Sequence, residues 1–257
     1  MSASFDFVEC AGKSYLFLWE RRRDVLRLSA MAVAVKIVFF VGFVVFDLQQ
    51  DILRQGLFLL PSYMLEGWVV AHLMIMALHH EVLKSGERKK SFLPAPEELD
   101  GAIKASMIVY VLLKMGLSVL GGIMFNGVQG LPEGPPPDPG FDTFVVVLAM
   151  LGFVVWAFRF LWLYVPVVMG RGMIEFVRRF RPFMSSFSFL GVWGMCFVPP
   201  LLLLMLFSQI SGTLAAGSIL AAFQAVIDYF MVLSSSIGVA YGVYSVFKGE
   251  NKPTAIW

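Results

Sequence analysis

Six stretches of at least about 18 consecutive, largely apolar residues divide this chain, and each is long enough to cross the hydrocarbon core of a bilayer as an α-helix. The apolar residues run without interruption, whereas strands of an outer-membrane barrel would alternate apolar and polar positions. The sequence therefore predicts an all-α fold, a polytopic transmembrane helical bundle. Its six spans are expected at residues 25–46, 57–83, 102–125, 143–169, 185–207 and 214–247.

Composition agrees with a membrane protein. Hydrophobic residues make up 58% of the 257 residues and charged residues 15%, whereas soluble domains average about 25% charged residues. The mean hydropathy is +0.78. The only cysteines, Cys10 and Cys196, form neither a disulfide framework nor a metal-ligand pattern. A soluble globular domain is therefore excluded.

Basic residues segregate to one side of the six-span topology. Sixteen of the 20 lysines and arginines fall in the N-terminal segment up to Arg27, in the loops 84–104 and 171–181, or after the last span, while Arg54 alone falls in the opposite loops. Basic loops face the cytoplasm. We therefore expect both termini in the cytoplasm and the protein in the inner (plasma) membrane. The basic runs 88–90 and 178–181 are expected to contact anionic lipid and not nucleic acid.

The first 24 residues are too polar to span a bilayer, yet apolar side chains interrupt them. This pattern is typical of an amphipathic helix that lies in the membrane plane. A cleavable signal peptide fits less well, because the positive cluster 21–23 follows the apolar positions. The sequence thus predicts a cytoplasmic amphipathic segment (1–24), the bundle (25–247) and a cytoplasmic tail (248–257). The apolar positions of the first segment are Phe5, Val8, Tyr15, Leu16 and Trp19.

Five charged side chains lie deep inside the predicted spans. A charge near the bilayer centre costs about 2.5–3.5 kcal/mol even on the lenient insertion scale, so such residues usually face the bundle interior and pair. Their distribution over five spans favours interhelical ion pairs that set helix register, with a proton or ion pathway or an anionic-headgroup site as alternatives. The candidates for this intramembrane polar network are Lys36, Glu66, Lys114, Arg159 and Asp228.

Asp228 differs from the other four because it lies on a helix face of small residues. Gly238 and Gly242 on the same span form a small-xxx-small pair, which allows close helix approach. We expect this face to pack against neighbouring spans with Asp228 bonded to one of them, and an oligomer interface or an ion ligand are the alternatives. The residues within about 40° of Asp228, at 100° per residue, are Gly217, Ala221, Gln224, Ser235 and Gly242.

Two histidines of the second span, His72 and His79, lie on one helix face and raise the question of a metal site. They are about 10 Å apart along the helix axis, the chain has 3 histidines, and it has no His-Glu-x-x-His motif. We therefore predict no metal and no cofactor. His72, His79 and Gln224 are kept as secondary polar candidates.

Prolines inside the spans predict kinks. Pro199 and Pro200 interrupt the fifth span, and Pro166 lies near the end of the fourth. A proline removes a backbone donor and frees a carbonyl group, a device that transporters use at binding sites. The prolines therefore keep a transport function open.

Two segments carry a resemblance to a known class of proteins. Residues 79–87 read His-His-Glu-Val-Leu-Lys-Ser-Gly-Glu at the cytoplasmic end of the second span, and residues 159–166 read Arg-Phe-Leu-Trp-Leu-Tyr-Val-Pro in the fourth. In these segments and in its span layout the chain resembles uncharacterised six-span bacterial inner-membrane proteins, which are similar to the membrane region of glycerophosphoryl diester phosphodiesterases. The resemblance implies a six-span bundle and no particular activity.

Motifs of enzymes are missing from the sequence. It contains no Gly-x-Ser-x-Gly elbow and no phosphate-binding Gly-x-x-x-x-Gly-Lys-Ser/Thr loop. We therefore expect a non-catalytic inner-membrane protein that acts as an accessory or assembly subunit of a membrane complex, with a membrane-protein partner or a second copy of itself. The alternative is a small transporter or permease component with a polar site in the bundle core, and a lipid-modifying enzyme ranks third.

Overall fold

A computed structural model of the chain describes residues 4–46, 52–84, 93–129, 140–211 and 217–248, and these residues form helices and no strands. Six helices are long and apolar enough to cross a membrane, as predicted, so the chain is a multi-pass membrane protein. The tail predicted beyond Lys248 lies outside the described residues. The helices are α1 (Phe7–Glu20), α2 (Arg22–Val45), α3 (Ile52–Lys84), α4 (Pro96–Gln129), α5 (Phe141–Ala157), α6 (Tyr164–Val168), α7 (Met173–Arg179), α8 (Phe183–Ser211) and α9 (Gly217–Lys248).

The fourth span is broken near Pro166, where the sequence predicted a kink, but the break begins several residues before the proline. Between α5 and α6 the chain forms a 3-10 helix at Phe158–Trp162. Pro166 explains the change, because its ring would collide with the carbonyl group of Trp162 in a regular α-helix, and the tighter 3-10 geometry avoids that arrangement. By contrast, α8 runs unbroken through Pro199 and Pro200, so the interruption expected there does not occur.

The last helix, α9, is the centre of the bundle. It packs against α1, α2, α3, α6 and α8, while α3 makes its most extensive contact with α4. Small residues on α9 permit this crowding, because they let neighbouring backbones approach closely. Every residue of α9 from Leu233 to Tyr244 is buried.

The first helix packs onto the bundle. Asp6 caps α1, because its carboxylate accepts hydrogen bonds from the backbone N–H groups of Val8 at 2.9 Å and Glu9 at 3.2 Å. The Ser14 hydroxyl then donates to the Ser234 carbonyl oxygen of α9 at 2.6 Å. The side chains that α1 buries are Cys10, Ala11, Ser14, Phe17 and Leu18.

Glycines on α8 and α9 make room for aromatic side chains at the start of α1 and just before it. A Cβ atom on Gly242 would clash with the ring of Phe5, and one on Gly191 would lie 2.6 Å from the nearest atom of the Phe7 ring. At Gly238 a Cβ atom would lie 2.8 Å from the Val192 side chain of α8. In the small-xxx-small pair, Gly238 therefore allows close packing of α8, and Gly242 makes room for Phe5, which precedes α1.

Candidate functional site

Four of the five predicted intramembrane charges meet at one place. The Lys36 Nζ atom lies 2.8 Å from Glu66 Oε1 and 2.5 Å from Asp228 Oδ2, and Lys114 Nζ lies 3.9 Å from the same Asp228 oxygen. The four side chains come from α2, α3, α4 and α9. Each lies about 6–8 Å from the midpoint of its span, on the side away from the chain termini. We call this group the charge cluster.

Lys36 and Glu66 form the dry side of the charge cluster. Their side chains are 1% and 0% exposed. The rings of Phe40 and Tyr229 lie 5.8 and 5.9 Å from Lys36 Nζ, close enough for cation–π attraction. One buried ammonium group therefore pairs with two carboxylates, the buried Glu66 and the partly exposed Asp228, and these contacts join α2, α3 and α9.

Lys114 and Asp228 form the accessible side. Their side chains are 21% and 33% exposed, and the 3.9 Å separation lies at the outer limit of an ion pair. The rings of Tyr63 and Tyr110 each lie within 5.9 Å of Lys114 Nζ. Lys114 is thus held loosely between two aromatic rings and one carboxylate.

Two cavities meet at the Lys114–Asp228 pair. The polar cavity, of about 500 Å³, is lined by Tyr63, Ser118 and Gln224 among others, and the aromatic cavity, of about 220 Å³, by Tyr110, Trp162, Tyr164, Trp193 and Phe197 among others. Lys114 and Asp228 line both cavities.

The two cavities lie on opposite sides of the pair along the bundle. On α9, Gln224 precedes Asp228 and lines the polar cavity, whereas Val232 follows it and lines the aromatic cavity. On the antiparallel helix α4 the order is reversed, with Ser118 in the polar cavity and Tyr110 in the aromatic one. The polar cavity therefore extends away from the chain termini and the aromatic cavity extends towards them.

The cavities follow from the way the helices pack. Within the described residues, α4 packs closely against α3 and α6, and α8 packs against α9 and α1. Close packing is missing between α4 and either α8 or α9 in this part of the chain. A cleft between α4 on one side and α8 and α9 on the other therefore holds both cavities, with the accessible charges at its wall.

Arg159 lies elsewhere, so its predicted membership of the polar network is wrong. Its guanidinium donates from Nη1 to the carbonyl oxygens of Phe180 at 2.5 Å and Arg181 at 2.9 Å, and it stacks on the ring of Trp156 at 4.5 Å. Phe180 is the C-terminal cap of α7. Because the carbonyl end of a helix carries partial negative charge, Arg159 is paired with a helix end in place of a carboxylate.

Replacing Arg159 by methionine is expected to lower the free energy of unfolding by about 1.5–3 kcal/mol, since charged hydrogen bonds to buried carbonyl groups are lost. Thermal and denaturant unfolding in detergent measure the effect. The exposed Arg178 of α7 is the matched control, and its methionine variant should remain close to wild type. Equal stability of the two variants would contradict this assignment of Arg159.

The histidines do not converge on a site. His72 Nδ1 lies 2.9 Å from the Trp68 carbonyl oxygen of its own helix, His79 is exposed, and His80 Nε2 lies 3.7 Å from Glu20 Oε2. The described residues contain no group of three or more His, Cys, Asp or Glu side chains that could hold a metal ion. Of the secondary candidates, Gln224 alone lines one of the two cavities.

The aromatic and hydroxyl side chains around the charge cluster were not among the residues predicted from the sequence. Three buried oxygens lie near it: Ser62 Oγ, which has no hydrogen-bond partner among the described residues, and Glu66 Oε2 and Tyr110 Oη, whose side chains interact with each other. A signal was present, because residues four apart share a helix face. Ser62 precedes Glu66 by four residues, Tyr110 precedes Lys114 by four, and Gln224 precedes Asp228 by four.

Of the two segments that resemble known six-span proteins, the first ends α3 with its residues 79–84, and its residues 85–87 lie outside the described residues. The second runs from the 3-10 helix into α6. The implied relationship stays a prediction from those segments. Comparison of the chain with models of protein families, with curated proteins and with solved structures finds no match.

Proposed function

We propose that this protein is a small transporter or permease component whose polar site is the Lys114–Asp228 pair. One observation carries the proposal: the same two charged side chains line two cavities that extend in opposite directions along the bundle. Secondary transporters hold their substrate near the bilayer midplane and expose it to each side in turn. A polar site between two cavities suits that mechanism better than it suits a purely structural ion pair.

The division of the charge cluster into two halves supports the same proposal. Lys36 holds Glu66 and Asp228 at hydrogen-bond distance, so these three groups stay paired. Lys114 is 3.9 Å from Asp228, and separating this loose, partly hydrated pair costs little compared with breaking a buried one. A solute can therefore enter between Lys114 and Asp228 while the rest of the bundle keeps its register.

Orientation in the membrane is part of the proposal. The basic loops favour an orientation with both termini in the cytoplasm and the bundle in the inner (plasma) membrane. Helix α1 lies in the membrane plane there, with one face on the bundle and Val8, Leu16 and Trp19 exposed towards the acyl boundary. Arg22 and Arg23 follow it at the level of anionic headgroups.

Cysteine labelling in sealed vesicles tests access to the two cavities. In a Cys10→Ala/Cys196→Ala background, Ser118→Cys places a thiol in the polar cavity and Val232→Cys places one in the aromatic cavity. A membrane-impermeant thiol reagent is expected to label Ser118→Cys from the side away from the termini and Val232→Cys from the cytoplasmic side. Mass spectrometry after labelling in vesicles of each orientation measures this.

The control for this labelling is Ser62→Cys, which is 1% exposed in the native chain and lines neither cavity. It should stay unlabelled from both sides. If Ser118→Cys and Val232→Cys are also unlabelled from both sides, or react from the same side only, the transport proposal is wrong.

An accessory role is the second candidate, and α5 is the observation that favours it. Residues 144–151 are all exposed, so more than two helical turns lack contact on every face. Among the described elements, the main contacts of α5 are with α8 and the 3-10 helix. A membrane-protein partner, or a second copy of this chain, could cover it. Native purification in mild detergent tests this role, and a chain that runs alone under every gentle condition counts against it.

A further inference from the structure

The net charge of the charge cluster limits what can bind there. Lys36 and Lys114 balance Glu66 and Asp228, so the cluster is neutral as a whole. A solute with a net charge would leave one charge unbalanced in an apolar bundle, which is costly. A solute that carries one positive and one negative group adds no net charge. The cluster therefore favours a zwitterion over a lone anion or cation.

The Lys114–Asp228 pair has the geometry to receive such a solute. Lys114 Nζ and Asp228 Oδ2 are 3.9 Å apart, and both groups face the cavities. A solute that lies in the cavity beside the pair can place its carboxylate on Lys114 and its ammonium group on Asp228. Asp228 also keeps its contact with Lys36 at 2.5 Å, so its charge is never left alone while the solute enters or leaves.

The aromatic cavity supplies the other half of the recognition. Leu113, Leu161, Trp193 and Phe197 form part of its wall, and its volume of about 220 Å³ is continuous with the charged pair. An apolar group on the solute would be removed from water there, which favours binding by roughly 25 cal/mol per Å² of apolar surface. The neighbouring polar cavity offers Ser118 and Gln224 on the opposite side.

We propose that the Lys114–Asp228 pair binds a small zwitterion that carries an ammonium and a carboxylate group on one carbon and an apolar side chain, as an apolar α-amino acid does. Lys114 takes the carboxylate, Asp228 takes the ammonium, and the aromatic cavity takes the side chain. This inference rests on the proposed transport function and names the substrate class of the same site.

Calorimetric titration of the purified full-length chain in detergent tests the inference with three matched probes. L-leucine carries both charges, 4-methylpentanoate lacks the ammonium group, and 3-methylbutylamine lacks the carboxylate. We expect L-leucine to bind and each analogue to bind at least about tenfold more weakly, because each loses one charge-assisted contact. Equal binding of all three probes would overturn the inference.

Variants on α4 connect this selectivity to Lys114. Lys114→Met is expected to weaken L-leucine binding by about tenfold or more and to remove the preference for L-leucine over 3-methylbutylamine. Lys114→Arg, which keeps the charge, should retain the preference. Lys104→Met is the matched control, since Lys104 is a 64% exposed lysine of the same helix, paired with Asp100. An unchanged preference in Lys114→Met contradicts the assigned role.

The vesicle labelling separates failure of this inference from failure of the transport proposal. If Ser118→Cys and Val232→Cys react from opposite sides but L-leucine neither binds nor slows the labelling, the zwitterion inference is wrong and the transport proposal stands. If L-leucine slows the labelling of Val232→Cys and 4-methylpentanoate does not, the inference is supported. If neither cysteine reacts, both the transport proposal and the zwitterion inference are wrong.

Discussion

Replacing Lys36 by methionine is expected to lower the free energy of unfolding by about 3–5 kcal/mol, the usual penalty for removing one partner of a buried ion pair. The Lys36 ammonium is the shared partner of Glu66 and Asp228, at 2.8 and 2.5 Å. Without it, Glu66 is a fully buried carboxylate beside a second one. Unfolding in detergent, by heat and by denaturant, measures the loss.

A second variant shows whether the loss comes from the stranded carboxylate. In Lys36→Met/Glu66→Leu both partners of the driest contact become apolar, and Asp228 still has Lys114 at 3.9 Å. Replacing both members of a buried pair by apolar residues is often neutral, so the double variant should be more stable than Lys36→Met alone. If the effects of the two substitutions simply add, the ion-pair account of the cluster is wrong.

Gly242→Ala is expected to detach the segment that holds α1 on the bundle. It should lower the free energy of unfolding by about 1–3 kcal/mol, the usual cost of an overpacked site. The new Cβ atom clashes with three atoms of the Phe5 ring. That ring cannot simply turn away, because the rings of Phe180 and Phe189 lie 6.4 and 5.3 Å from it. The clash should outweigh the gain of about 1 kcal/mol in helix propensity from glycine to alanine.

The Cys10 thiol reports on this detachment. Burial, assisted by the charge of Glu9, raises the pKa of Cys10 to about 12. Since the thiolate is the reactive form, native Cys10 should react very slowly with maleimide at pH 8. Exposure returns the pKa to about 8.5 and should speed the reaction by on the order of 10³. Maleimide labelling of Gly242→Ala in a Cys196→Ala background measures the rate.

Two further variants control the glycine experiment. A Cβ atom on Gly12 meets nothing within 4 Å, so Gly12→Ala should match or slightly exceed native stability. Phe5→Ala combined with Gly242→Ala makes room for the new Cβ atom, and it should show no loss beyond that of Phe5→Ala alone. If Gly242→Ala is as stable and as unreactive as Gly12→Ala, Gly242 has no part in holding α1.

The six membrane-spanning helices were predictable because each apolar run is longer than a bilayer core is thick. The convergence of the buried charges was also foreseeable in kind, since an unpaired charge inside a bundle is costly. The particular partners were not. Lys36 reaches Asp228 across 192 residues of chain, and that contact depends on α2 lying beside α9, which no local pattern specifies.

Arg159 shows where reasoning from spans fails. It was placed on a fourth span that a kink was expected to interrupt only near its end, but the 3-10 helix that precedes Pro166 brings the guanidinium to the end of α7. The two cavities were equally hidden, because they arise where α4 does not pack against α8 or α9. Gaps between helices depend on helix tilt and on the sum of many contacts, and the hydrophobic periodicity of a sequence predicts neither of these.

The docking of α1 on the last two long helices also constrains the order in which the molecule can be assembled. Ser14 bonds to Ser234, 220 residues further along the chain. At synthesis rates of about 5–20 residues per second, α1 therefore waits roughly 10–45 s for its partner to be made. During that interval the apolar side chains of α1 need temporary cover, from the membrane surface or a chaperone. Lys36 likewise has no Asp228 to pair with until α9 is made. Translation of α9 therefore completes both the surface on which α1 docks and the charge cluster.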